Sequence, residues 1–205
     1  MATAARAAIL AGGLATRMGG RNKALIEVRG RAIIDRQLDA LRPLFAAGAL
    51  AAVLAADATE ADAAPFAARK LELLRDRAGK QGPMAGLAAA LAWAGDAHLF
   101  ALACDMPSVE PRVVELVLAS AVGADIAVPV AGGRRQPLFA CYSPRCAALV
   151  DDQLRDAARS VSALPDAARA RGFAVVEIDE RRIRTVDPDL RSFVNVNSAS
   201  DLANC

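Results

Sequence analysis

The sequence is poor in the residues that most often carry polar chemistry. It holds one histidine, His98, and four cysteines, Cys104, Cys141, Cys146 and Cys205, none in a C-x-x-C arrangement. That leaves no His/Cys cluster for a zinc site and no Cys–His nucleophile, and a reducing cytosol is the expected compartment. No uninterrupted apolar run reaches the ~20 residues that a bilayer-spanning helix needs. The stretch after Arg6, "AAILAGGLA", is short and broken by paired glycines, which argues against a signal peptide. A charge excess is missing too. With 25 basic and 23 acidic side chains the net charge is +2, so neither nucleic acid nor a membrane surface is an expected partner. Lysine itself is scarce: Lys23, Lys70 and Lys80 stand among 25 basic residues. A lysine inside a glycine loop therefore hints at a site that wants a compact ammonium.

What is present is a regular alternation. Apolar runs of strand length recur as "AAILA" at 7–11, "LAAVLAA" at 50–56, "LELL" at 71–74, "HLFALAC" at 98–104 and "DIAVPV" at 125–130. Helical spacing lies between most of them. Ile34, Leu38, Leu41 and Phe45 share one face, "GPMAGLAAALAWAG" offers Pro83 as a start and Gly95 as a stop, and "SVEPRVVELVLAS" offers Ser108 as N-cap. Nearly continuous apolar strands alternating with helices predict an α/β fold with a mostly parallel sheet covered on both faces. The later runs "QPLFACYS" at 136–143 and "FAVVEID" at 173–179 have less clear crossovers, so an antiparallel or protruding element is expected there. The length of 205 residues suits one domain.

In an open parallel sheet, ligands sit beyond the carboxyl ends of the strands. "AAIL" followed at once by "AGG" puts Gly12 and Gly13 at that edge, where glycine lets backbone N–H groups approach a phosphate. The spacing fits neither the dinucleotide fingerprint nor the P-loop. It reads A-G-G-x-x-x-R-M-G-G-x-N-K, with Gly12, Gly13, Arg17, Met18, Gly19 and Lys23, and it resembles the pyrophosphorylase loop of nucleotidyltransferases. An ordinary surface loop can also collect glycine and arginine. A nucleoside triphosphate gives this mixture a use: glycines supply main-chain donors, while Arg17 and Lys23 supply fixed positive charge.

Two further stretches add to the pattern. "HLFALACDMP" runs an apolar strand into Asp105, a carboxylate suited to Mg²⁺ or, more blandly, to capping the next turn. Asp76 follows "LELLR", with Gly82, Pro83 and Gly86 behind it. Near the end, "SFVNVNSASDLANC" places Asn195 and Asn197 on one side of an extended segment, although a helix cap accounts for one of them.

"LAGGLATRMGGRNK", "GPMAGL", "CDMP", "RQPL" and "FVNVN" stand in the order and approximate spacing of the molybdenum cofactor guanylyltransferase family, which the chain resembles from about Ala7 to Leu202. The resemblance implies a three-layer, Rossmann-like nucleotidyltransferase fold, read as a single domain over 1–205. It implies transfer of GMP from GTP to the phosphate of molybdopterin, with Mg²⁺ as cofactor, in the cytoplasm. Transient contact with molybdenum-insertion or acceptor proteins goes with that role. It further implies that Leu10, Ala11, Gly12 and Gly13 contact GTP, that Lys23 binds its phosphates, and that Asp76 lies in the nucleotide site. Asp105 is the implied Mg²⁺ ligand; Gly82, Pro83 and Gly86 line the cleft, and Asn195 and Asn197 lie near the reacting phosphates. Arg135 to Leu138, and Arg159 with Ser160, match segments near the pterin. Two departures stand out: Asn22 where the family usually has Asp, and "AADATE" after the second strand. A cytidylyltransferase, a transferase acting on another phosphorylated small molecule, and a non-catalytic nucleotide-binding protein remain as alternatives.

Overall fold

The apolar runs become strands of one sheet. A computed structural model describes residues 4–12, 14–15, 21–76, 82–155, 160–196 and 201. Its elements are β1 (Ala5–Leu10), β2 (Leu14–Ala15), β3 (Arg21–Asn22), β4 (Glu27–Val28), β5 (Arg31–Ala32), α1 (Ile33–Leu41), β6 (Leu50–Leu54), α2 (Glu60–Ala67), β7 (Glu72–Arg75) and α3 (Pro83–Ala94). They continue with β8 (His98–Ala103), α4 (Pro111–Ser120), β9 (Ile126–Ala131), β10 (Arg134–Arg135), β11 (Phe139–Tyr142), α5 (Cys146–Arg155), α6 (Leu164–Ala170), β12 (Val175–Ile178) and α7 (Glu180–Arg184).

The main sheet has the order β10-β9-β11-β8-β1-β6-β7, with β12 also paired to β9. Strands β7, β6, β1 and β8 are parallel; β11 runs antiparallel between β8 and β9, and β12 is parallel to β9. The antiparallel element expected in the later part of the chain is therefore β11. It starts at Phe139 rather than Gln136, because Gln136 to Leu138 form a turn in which the Phe139 N–H donates to the Gln136 carbonyl at 3.0 Å.

Alternate side chains on each strand feed opposite layers. Ile9, Leu54, Phe100 and Leu102 pack with α1, α2 and α4, while Leu10, Val53, Leu99 and Ala101 pack with α3, α5 and α6. The result is the three-layer α/β arrangement. α1 buries Ile34, Leu38 and Leu41 on the expected stripe, and α3 begins at Pro83 and stops at Gly95. Ser108 is not the cap of α4: Glu110 takes that place, accepting from the Arg112 N–H, because the rigid φ of Pro111 makes it the first helical residue.

Register positions the site. Leu10 sits opposite Val53 and Ala103, and Leu54 opposite Arg75. The four parallel strands thus release the chain at Ala11, Ala55, Asp76 and Cys104 along one edge, which is where ligands collect in such sheets.

Candidate active site

At that edge lies a cavity of 310 Å³ whose walls include Leu10, Gly12, Lys23, Asp76, Gly82, Pro83, Gly86 and Asp105 from the sequence reading. Val53, Ala103, Cys104 and Leu138 complete it. Val53, Ala103 and Cys104 carry no polar motif that could have flagged them; they line the cavity because they end adjacent strands.

Close backbone approach is built in on one side. A Cβ on Gly12 would stand 3.3 Å from the Ala55 nitrogen and 3.4 Å from Asp76 Oδ2, so glycine lets the end of β1 lie against the loop after β6. A Cβ on Gly86 would come within 3.1 Å of the Leu10 side chain. Burial is the main cause that pushes the Asp76 carboxyl above its ordinary value, reinforced by the negative charge of Asp57 and opposed by a hydrogen bond from the Ala56 backbone.

Lys23 opens a single 3₁₀ turn, Lys23–Leu25, and Asn22 holds that turn to β1. The Asn22 carboxamide uses both ends: its oxygen accepts from the Ala24 N–H at 3.0 Å, and its Nδ2 donates to the Ala11 carbonyl at 2.7 Å. A carboxylate could accept but has no proton for Ala11. The departure from the family's usual Asp thus has a local structural use.

From the turn, Lys23 Nζ reaches Asp105 Oδ2 at 3.3 Å. The other carboxylate oxygen, Oδ1, is buried and has no hydrogen-bond partner among the described residues. An orphaned, buried anionic oxygen is costly unless something positive occupies it. Among the described residues no three His, Cys, Asp or Glu side chains gather into a metal cage. A single carboxylate in the wall of this cavity fits Mg²⁺, which is commonly held by one or two carboxylates plus phosphate oxygens and water. Cys104, next in the wall, is no competitor: burial above all pushes its thiol up to about 12.

Other candidates sit differently. Ala11 is buried and bonds its N–H to the Val53 carbonyl, so it supports the loop without entering the wall. Asn195 is exposed, but its neighbour Val196 is buried and donates its N–H to the Asp105 carbonyl at 2.8 Å, which ties the asparagine segment to the carboxylate loop. Of the "RQPL" segment only Leu138 reaches the cavity, whereas Arg135 is held by Glu177 and Asp166 at 2.7 Å each. Gly13, Arg17, Met18, Gly19, Arg159 and Asn197 lie outside the described residues.

Residues 7–172 match the family model described as the MobA-like NTP transferase domain. The chain belongs to the MobA-like NTP transferase family. A protein of Desulfosudis oleivorans named molybdenum cofactor guanylyltransferase is 32% identical over 195 residues, covering 95% of this chain and 90% of that one. One of Pelotomaculum thermopropionicum, named a probable molybdenum cofactor guanylyltransferase, is 34% identical over 194 residues, covering 95% and 88%. The crystal structure of molybdopterin-guanine dinucleotide biosynthesis protein A from Archaeoglobus fulgidus superposes with a TM-score of 0.78 at 26% identity, covering 97% of this chain and 95% of that one. As a MobA-like transferase the chain is a nucleotidyltransferase, and its relatives place it in molybdenum cofactor biosynthesis. Among the described residues no helix is long and apolar enough to cross a membrane.

Proposed function

We propose that this MobA-like transferase carries GMP from GTP to the phosphate of molybdopterin, as a cytoplasmic enzyme folded as one domain over its 205 residues. The observation that carries the reading is the pairing of Lys23 with a half-satisfied Asp105 in the wall of a cavity that Gly12 and Asp76 close on the other side. The names of the relatives supply guanine as the base and the molybdenum cofactor as the acceptor class.

An oxygen of the acceptor phosphate attacks the α-phosphorus of GTP in line, the bond to the bridging oxygen of the β-phosphate breaks, and pyrophosphate leaves with the electron pair. The acceptor phosphate is already ionised near neutral pH, so no protein base is required. Lys23 and Arg17 neutralise the triphosphate, the backbone at Gly12 and Gly13 donates to it, and Asn195 and Asn197 stand near the reacting phosphates. Asp76, Gly82 and Pro83 shape the nucleotide side together with Leu10 and Ala11. Asp105 would hold Mg²⁺, whose positive charge would offset the negative charge of the phosphates. Catalysis of this kind is positioning plus electrostatics. Transient contact with molybdenum-insertion or acceptor proteins belongs to the same reading.

The test is a thermal-shift panel with GTP, CTP, ATP and UTP, with and without Mg²⁺, followed by pyrophosphate release with molybdopterin. A ligand that binds only the native state adds about 2.7 kcal/mol at a hundredfold excess over Kd. GTP is expected to give the largest shift and to be the nucleotide consumed. A CTP-selective shift, or GTP binding without pyrophosphate release, refutes the guanylyl assignment.

A further inference from the structure

The loop that carries Asp105 is tied to α1 by a residue that no motif marks. The buried face of α1 consists of Ile33, Ile34, Gln37, Leu38, Ala40 and Leu41, and Gln37 is its one polar member, fully shielded from solvent. An amide in that position is costly unless its protons are used, and a leucine would fill the stripe without the cost. Its oxygen has no partner among the described residues, and both protons are used on one loop. Gln37 Nε2 donates to the Ala103 carbonyl at 2.8 Å and to the Met106 carbonyl at 3.0 Å, which bracket Cys104 and Asp105. On the same helix Arg36 Nε donates to the Pro107 carbonyl at 2.7 Å.

Strand β8 ends at Ala103, so the carbonyls beyond it have left the sheet ladder. Of the five carbonyls from Ala103 to Pro107, three are taken by side chains of α1 and that of Asp105 by the Val196 N–H. One amide nitrogen with two protons, joining carbonyls three residues apart, holds the turn closed around the carboxylate. The acid is therefore presented to Lys23 and the cavity by a helix rather than by a free loop, and side chains fixed in this way keep a reactive group within the narrow tolerance that catalysis demands.

We propose that Gln37, assisted by Arg36, is a positioning residue that sets Asp105 for the divalent cation. The proposal rests on the reading of Asp105 as the cation-holding carboxylate. Supporting groups one layer behind a metal ligand commonly matter about 10- to 100-fold in affinity or activity.

The test uses the full chain with GTP and takes Mn²⁺ as the probe for the cation, its binding followed by electron paramagnetic resonance. Gln37→Met keeps the length and apolar fit of the side chain and removes both donors. It is expected to weaken Mn²⁺ binding about 10- to 100-fold and to lower kcat comparably, while the KM for GTP and the circular-dichroism spectrum stay close to those of the parent. Arg36→Gln, at a half-buried position, is expected to move the same two quantities in the same direction by a smaller factor, and it serves if Gln37→Met does not fold. Folded variants that bind Mn²⁺ and turn over like the parent overturn the proposal. Asp105→Asn, measured alongside, separates the two levels. If it loses Mn²⁺ while the α1 variants do not, only the role of α1 fails; if it too binds and turns over normally, the reading of Asp105 falls and takes that of Gln37 with it.

Discussion

Asp125 and Asp105 are both acids at the margin of buried strands, and they end in opposite states. Asp125 stands just ahead of β9, where its carboxylate accepts from Ser143 Oγ at 2.9 Å, from Arg145 Nη1 at 3.0 and 3.1 Å, and from the Ala174 N–H at 2.9 Å. It joins the start of β9 to the turn after β11 and the approach to β12, and neither oxygen is spare. Asp105 follows β8 and has Lys23 at 3.3 Å on one oxygen and, among the described residues, no partner on the other. A fold tolerates an unsatisfied buried group where something else is meant to satisfy it. The contrast extends to whole regions. Around Asp125 and β12, arginines and acids are matched within the protein, while the edge formed by β1, β6, β7 and β8 keeps groups with capacity left over.

Asparagine substitutions at the two positions sharpen this contrast most. Asp105→Asn removes the charge that the cation and Lys23 use, and turnover is expected to fall by about 10²- to 10³-fold or more. The thermal midpoint should stay within about 2 °C, since the fold gains little from an acid with one idle oxygen. Asp125→Asn does the reverse. It weakens hydrogen bonds to a charged group, of about 1.5 to 3 kcal/mol, so the midpoint should drop by several degrees at roughly 2 to 4 °C per kcal/mol, with kcat/KM unchanged below the transition. A loss of activity without destabilisation in Asp125→Asn would break the comparison.

Asp76 tests the same idea through pH. Burial raises its pKa above the ordinary 3.8 of aspartate. The folded state then binds the proton more tightly than the unfolded chain, so the associated stability is fully present below pH 3.8 and is lost as pH rises through the folded pKa. At neutral pH the ionised group is a mild burden on the fold. Asp76→Asn is accordingly expected to raise the melting temperature at pH 7 by at most a few degrees, with the gain vanishing below about pH 3.8, while GTP affinity falls about tenfold. A midpoint that falls at pH 7 would show that the carboxylate is structural instead.

Much of the site side was legible because it depends on short-range pattern. An apolar run that ends in Gly12 or in Asp105 announces both a strand and what emerges from it, and the stripe of α1 is visible at a spacing of three and four. Gln37 was not legible, since its meaning lies in carbonyls 66 and 69 residues away. Asn22 stood out only as a departure from Asp, because the Ala11 carbonyl it serves lies 11 residues back and comes beside it where β2 pairs with β3. The Ser108 cap failed for a local reason: the fixed φ of Pro111 competes with a good capping side chain and wins. Among the helices of the later chain, α6 was obscured by an alanine- and arginine-rich composition whose polar face, Asp166 and Arg169, makes sense only once Arg135 of β10 and Glu177 of β12 are beside it.

That polar face supplies the smallest expected effect. Arg135 belongs to "RQPL", a segment matched to the pterin side, yet its guanidinium is committed within the protein. It meets Asp166 and Glu177 at 2.7 Å each, and Arg169 meets Glu177 at 2.8 Å and Asp166 at 3.5 Å, so two arginines and two acids close a ring across β10, α6 and β12. Asp166 and then Glu177 hold the Arg135 guanidinium further into its charged form, and Arg135 in turn is the largest cause that keeps Asp166 below the ordinary carboxylate value. Exposed pairs of this kind contribute little each and are screened by salt. Arg135→Ala is therefore expected to shift the thermal midpoint by no more than about 2 °C, with the difference shrinking as salt is added, and to leave the KM for the acceptor within about threefold. A much larger rise in acceptor KM with stability unchanged would mean that the ring opens to give Arg135 to the substrate, and the division between a self-satisfied half and a half with spare capacity would have to be redrawn to include β10.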